Sequence, residues 1–270
     1  METQLPIHEI NGTSFLVDVQ KGELKEAGNP DNTIAFADMR YNEEGYGFSY
    51  DPLTKNLPEW NRLYKPEIEL IQVPHMVELD PAGMAAKYGK TLQEVSGKTD
   101  FEVIVDQEVL AMRMKGKLPT IDIAGHLFYV DIRCDRLRPK DDFSTMGISI
   151  SEIEEYQYRD GDTYVFTYDP KTHRAREIDP EKMTTIPKDL LFIEIPIPKL
   201  LDPVGYARKT GCHVTELLMN TPLKELHQAR TIPWKETGLL ILIKENANKN
   251  RHQVKQSQKK RTGRSKRKGI

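Results

Sequence analysis

Four stretches from the first half of this chain return, in the same order, in the second. LPIHEINGTSFLVDV at 5–19 matches LPTIDIAGHLFYVDI at 118–132, with Leu, Pro, Ile, Gly, Phe, Val and Asp in common. IAFADM at 34–39 meets ISISEI at 148–153, and FSYDPLTKN at 48–56 meets FTYDPKTHR at 166–174. VPHMVELDPAGMAAKYG at 73–89 meets IPIPKLLDPVGYARKTG at 195–211. The offset drifts from 113 to 122, as it would if a few residues had entered loops of the second copy. Collinear matches of this kind predict one unit written twice, over residues 5–95 and 118–217. The period is too long for a solenoid, whose repeats run ~20–50 residues, so each copy is expected to be a small domain. Two such copies are expected to pack as a pseudo-symmetric pair.

Each copy opens on Leu-Pro and an alternating stretch in which Phe15, Val17 and Val19, or Phe128, Val130 and Ile132, share one face of a strand. Asp18 and Asp131 fall on the opposite face, predicted to look toward solvent or a partner. Gly12 and Gly125, just ahead of these strands, predict a tight turn with positive φ or a close backbone approach. Further strands are expected at Ile34–Phe36 and Ile148–Ile150, up to Tyr50 and Tyr168, and at Ile68–Val73 and Leu190–Ile195. Asp51-Pro52 and Asp169-Pro170 are turn openers at a hairpin or strand exit. Asp80-Pro81 and Asp202-Pro203 are N-cap and first-turn pairs that start short helices, and Gly89 and Gly211 suit their stops. Thr99 and Glu102 stand in capping-box register before a helical stripe over 99–116. Thr221-Pro222 predicts another short helix. The stretch from Pro233-Trp234 into KETGLLILIKEN reads as either helix or strand.

These elements predict an α+β fold: two tandem copies of a strand-rich module, each ending in helix, plus a disordered basic tail. The expected divisions are a first repeat over 5–95, a connecting helix over 96–117, a second repeat over 118–217, a helical extension over 218–243 and the tail over 244–270.

The net charge of −2 conceals a split. Residues 244–270 carry eleven Lys/Arg against one Glu, while the rest holds 28 basic and 40 acidic residues. A segment such as KQSQKKRTGRSKRKGI has too few apolar residues to fold by itself. Its cations attract phosphate backbones through counterion release, which makes Lys259, Lys260, Arg261, Arg264, Lys266, Arg267 and Lys268 the candidate nucleic-acid contacts. The same charge could instead fold back on the acidic body, meet a protein, or touch an anionic membrane; no apolar anchor favours the last. The longest apolar run, GLLILI, is far shorter than the ~20 residues of a membrane span. With no leader pattern and only Cys134 and Cys212, the expected setting is the cytoplasm, with both thiols reduced and buried.

Catalytic signatures are missing from the sequence: no G-x-G-x-x-G, Walker loop, G-x-S-x-G, H-E-x-x-H or paired C-x-x-C occurs. No cofactor, metal or catalytic residue is therefore expected. CDRLRPKDD at 134–142 reads as a solvated charged loop, and Tyr50, Tyr156, Tyr158, Tyr164 and Tyr168 as sheet packing. An enzyme would need His126, His173, His213 or Asp131 to converge in one pocket of the second copy.

The segments LPTIDIAGHLFYVDIR…LRPKDDFS, YDPKTH, IPKDLL, LDPVGYARKTG and PWKETG, with the Lys/Arg-rich ending, resemble a family of duplicated α+β proteins carried on bacterial mobile genetic elements. That family has no assigned activity. The resemblance covers most of the chain and implies a bacterial cytoplasmic setting and an accessory role. The expected function is non-enzymatic: an acidic duplicated body meets a protein partner while the tail tethers it to nucleic acid. The alternatives are an acidic inhibitor of a DNA-binding host enzyme and an enzyme with one active site in the second copy. The oligomeric state stays open.

Overall fold

A computed structural model describes residues 4–154 and 161–251. These residues form both helices and several sheets, the expected α+β class. They divide into two compact units. The first holds residues up to 117 together with 210–223; the second holds 118–209 and the residues from 224 on.

The first unit begins with an antiparallel sheet of β1 (Ile7–Ile10), β2 (Thr13–Asp18), β3 (Glu23–Glu26) and β4 (Thr33–Ala35), hydrogen-bonded in chain order. A second sheet has the order β5 (Arg40–Asn42), β6 (Gly45–Tyr50), β7 (Glu69–Val73). Five short helices follow: α1 (Met76–Leu79), α2 (Pro81–Lys87), α3 (Leu92–Val95), α4 (Asp100–Ile104) and α5 (Gln107–Met114). Period-two alternation puts Phe15 and Val17 of β2 and Phe48 and Tyr50 of β6 into one core, where Met84 of α2 and Val103 of α4 close over them. Burying each such side chain contributes ~1.5–3 kcal/mol over leaving it in water.

The second unit builds the corresponding sheet from β8 (Thr120–Ile123), β9 (His126–Asp131), β10 (Arg136–Pro139) and β11 (Ile148–Ser149), leading into α6 (Ile150–Glu154). Its other sheet holds β12 (Thr163–Asp169), β13 (Arg174–Ala175) and β14 (Leu191–Pro196), followed by α7 (Pro198–Leu201) and α8 (Pro203–Thr210). The chain then returns to the first unit as α9 (Val214–Asn220), which packs on β5 and α4. Two strands complete the second unit: β15 (Leu226–Gln228) and β16 (Arg230–Ile232).

Residues aligned by sequence adopt the same local geometry in both units. The β1–β2 turn places Asn11 and Gly12 at φ +49° and +75°, and the β8–β9 turn places Ala124 and Gly125 at +53° and +88°. Two consecutive positive φ values match the twist of the flanking strands. Asp80 caps α2 by accepting from Gly83 N at 2.8 Å, and Asp202 accepts from Gly205 N at 2.9 Å. Asp51 accepts from Leu53 N at 3.0 Å and Asp169 from Lys171 N at 2.9 Å, each inside a turn closed by a residue at positive φ, Lys55 or His173.

Several expectations are corrected. The 99–116 stripe is two helices, because Asp106 starts α5 afresh by accepting from the N–H groups of Glu108 and Val109. Asp131 is buried, accepting from Cys134 N and pairing with Arg138 at 2.9 Å, so the solvent-facing reading fails there. Cys134 and Cys212 are exposed. The charged 134–142 stretch contains β10, whose Leu137 is fully buried against the core. No helix starts at Thr221-Pro222: α9 ends at Asn220 and the chain extends into β15. After a turn at Trp234–Glu236, residues 239–251 are helical, so the helix runs past 243 into the first residues of the segment expected to be a disordered tail. Tyr50, Tyr164 and Tyr168 lie in the cores, whereas Tyr156 and Tyr158 fall outside the described residues.

Candidate functional site

Lys259, Lys260, Arg261, Arg264, Lys266, Arg267 and Lys268 also lie outside the described residues. Of the four residues that an active site in the second copy would need, the fold brings two together. His126 and His173 have ring centroids 4.3 Å apart, with Phe128 beside His173. Asp131 is held by Arg138, and His213 belongs to the first unit, where it precedes α9. No group of three or more His, Cys, Asp or Glu among the described residues could hold a metal ion.

One buried polar cluster of the first unit ties its elements together. Asp100 is fully buried and accepts from Met76 N (2.7 Å), Val77 N (2.8 Å) and the Tyr46 hydroxyl (2.6 Å), tying α4 to α1 and β6. Burial, reinforced by the nearby Asp100 carboxylate, pushes the Tyr46 hydroxyl far above its ordinary range, so it remains a donor.

The two units differ at their sheet edges. In the second unit one seven-residue stretch covers an edge of each sheet, β8 in one and β14 in the other. β15 runs parallel to β8, with Leu226, His227 and Gln228 opposite Thr120, Ile121 and Asp122. Ala229 N then donates to Asp122 O, and β16 turns onto β14, with Arg230, Thr231 and Ile232 opposite Glu194, Ile193 and Phe192. Arg230 is ion-paired with Glu194, and Trp234 lies against Phe192 with ring centroids 5.5 Å apart.

The first unit has the same edges without the cover. Among the described residues β1 pairs with β2 alone and β7 with β6 alone. Leu70 stands where Phe192 stands in the second unit, and it is 84% exposed; Ile7, in the place of Thr120, is 59% exposed. The side chain of Asn11 donates to Glu69 at 2.7 Å, joining the β1–β2 turn to the start of β7. The connection between β6 and β7 adds exposed Leu53, Trp60 and Tyr64.

Beside this edge lies a groove of about 620 Å³, lined by Arg40, Asn42, Gly47, Leu70, Gln72 and Phe101, with α9 along one side. Its floor is small and polar. The amides of Asn42 and Gln72 bond each other across Gly47, at 3.0 and 3.2 Å. A Cβ on Gly47 would meet Gln72 Oε1 at 3.2 Å, so a larger residue would disturb the pair. In the second unit the aligned residue is Val165, which is buried. An uncovered strand offers a row of unpaired backbone groups to another chain, and exposed apolar side chains beside it add affinity. Sequence alone contained one usable sign of this: Leu70 stands on the non-core side of an alternating strand.

No family model, curated protein or solved structure matches the chain. The fold also contains no helix, among the described residues, long and apolar enough to cross a membrane.

Proposed function

We propose that this chain is a non-enzymatic binding protein built from two copies of one module, in which the first copy takes up an extended segment of a protein partner by strand addition. One observation carries the reading: β14 is covered by β16 and Trp234, while the aligned strand β7 is uncovered and displays Leu70. In strand addition the backbone supplies affinity and alternate side chains supply selectivity. The acidic body and basic tail complete the proposal, with Lys259, Lys260, Arg261, Arg264, Lys266, Arg267 and Lys268 contacting nucleic acid. Tethering there raises the local concentration of the body near its partner. A bacterial cytoplasmic setting and an accessory role on a mobile element belong to the same proposal.

The test is affinity selection from a random decapeptide library against the full chain and against Leu70→Lys. Leu70 is exposed, so the substitution leaves the core intact. Enrichment of alternating apolar sequences on the wild-type chain and not on Leu70→Lys is expected. Failure to enrich any peptide, or equal enrichment on both, overturns the proposal.

A further inference from the structure

The structure also points to what the open edge selects. Resting on the strand-addition reading above, we infer that its occupant is a partner segment with the chemistry of residues 226–234 of this chain: about seven extended residues carrying a basic side chain, then an apolar one two positions on, then Pro and an aromatic ring. The second unit displays the matching solution on its own edges. Ile232 is buried opposite Phe192, Arg230 neutralises Glu194, and Pro233 ends the strand so that Trp234 can fold back onto Phe192. Proline suits that position because it has no N–H to extend the ladder.

The first unit presents the aligned strand with changes that keep the class of ligand. Leu70 replaces Phe192 and still offers an apolar platform. Gln72 replaces Glu194, but β1 and β7 carry exposed Glu9 and Glu69 and no lysine or arginine, and Arg40 in the adjoining groove is ion-paired with Glu216. Charge complementarity therefore favours a basic segment over a neutral or acidic one. A second copy of this chain is the weaker occupant, because its own 226–232 stretch is already hydrogen-bonded within its second unit.

The experiment titrates the full chain into three labelled peptides and follows fluorescence anisotropy. The first peptide is KELHQARTIPWKE, residues 224–236; the second carries Arg230→Glu and Ile232→Asp; the third is a neutral alternating Val-Ser peptide of equal length. The first is expected to bind at least about tenfold more tightly than the others, and Leu70→Lys in the protein is expected to remove that advantage. If all three bind alike and all weaken in Leu70→Lys, the edge takes strands without this preference: the inference falls and the strand-addition reading stands. If none binds, or if Leu70→Lys changes nothing, both fall. Sedimentation of the full chain closes the remaining case, since a dimer abolished by Leu70→Lys would make a second copy the occupant and overturn the assignment to a partner.

Discussion

Trp234 meets Phe192 edge-on, with ring centroids 5.5 Å apart and planes at 64°. The rings meet just past the end of β16, whose hydrogen bonds to β14 turn a free edge into an interior strand. The aligned residue of the first unit, Leu70, has no such cover among the described residues.

Removing the ring should therefore weaken the second unit. Trp234 is half-buried, so Trp234→Ala is expected to cost about 2 kcal/mol, below the usual range for a fully buried tryptophan. Urea denaturation of the full chain measures it. A loss within a few tenths of a kcal/mol would show that the contact does not hold β16 in place.

Asp100 supports the first unit. Asp100→Ala would leave two backbone donors and the Tyr46 hydroxyl unpaired inside the core, and is expected to cost on the order of 3 kcal/mol. Tyr46→Phe removes one charge-assisted bond and should cost about 1.5 kcal/mol. A larger loss in Tyr46→Phe than in Asp100→Ala would contradict the arrangement.

The cover strand should loosen in acid. Burial pushes the His227 imidazole below its ordinary value near 6.5, with a hydrogen bond to the Leu201 backbone opposing in part. The unfolded chain then binds the proton more readily than the folded one. Stability owed to neutral His227 is whole above about pH 6.5 and is lost as pH falls below it toward the depressed folded value. His8, lowered by burial in the first unit, acts in the same direction. Amide exchange in β15, corrected for intrinsic rates, should quicken between pH 7.5 and 5.5, and His227→Leu should flatten that change. Unaltered β15 protection across this range would refute it.

Nucleic-acid binding should reside in the tail. Asn246 donates to the carbonyls of Pro180 and Met183, so the cut that spares the folded unit comes after Arg251. The full chain should bind nucleic acid with log affinity falling at ~0.9 per neutralised phosphate against log salt, and the shortened chain should not bind. Equal binding by both would move the site to the folded body.

The features legible in the sequence were those that act over a few residues. The paired turns at Gly12 and Gly125, the caps at Asp80 and Asp202, and the buried faces of β2 and β9 follow from local backbone preference and period-two alternation. The division of 99–116 is hidden in the sequence because a single Asp106 cap outweighs a continuous apolar stripe. The strands within 218–243 are not legible in the sequence because stretches as short as β15 and β16 carry no decisive period.

By itself the sequence determined the α+β class and matching turns at matching places in the two units. Only the tertiary structure decided which strand edges are closed. The hydrogen bonds of residues 226–232 run to β8 and β14, strands distant in sequence, in a register that no local preference specifies. The same edges stay open on β1 and β7 because, among the described residues, no segment of the chain pairs with them. Coverage of an edge depends on where the rest of the chain travels, so two strands at matching places can end as an interior strand in one unit and an exposed edge in the other.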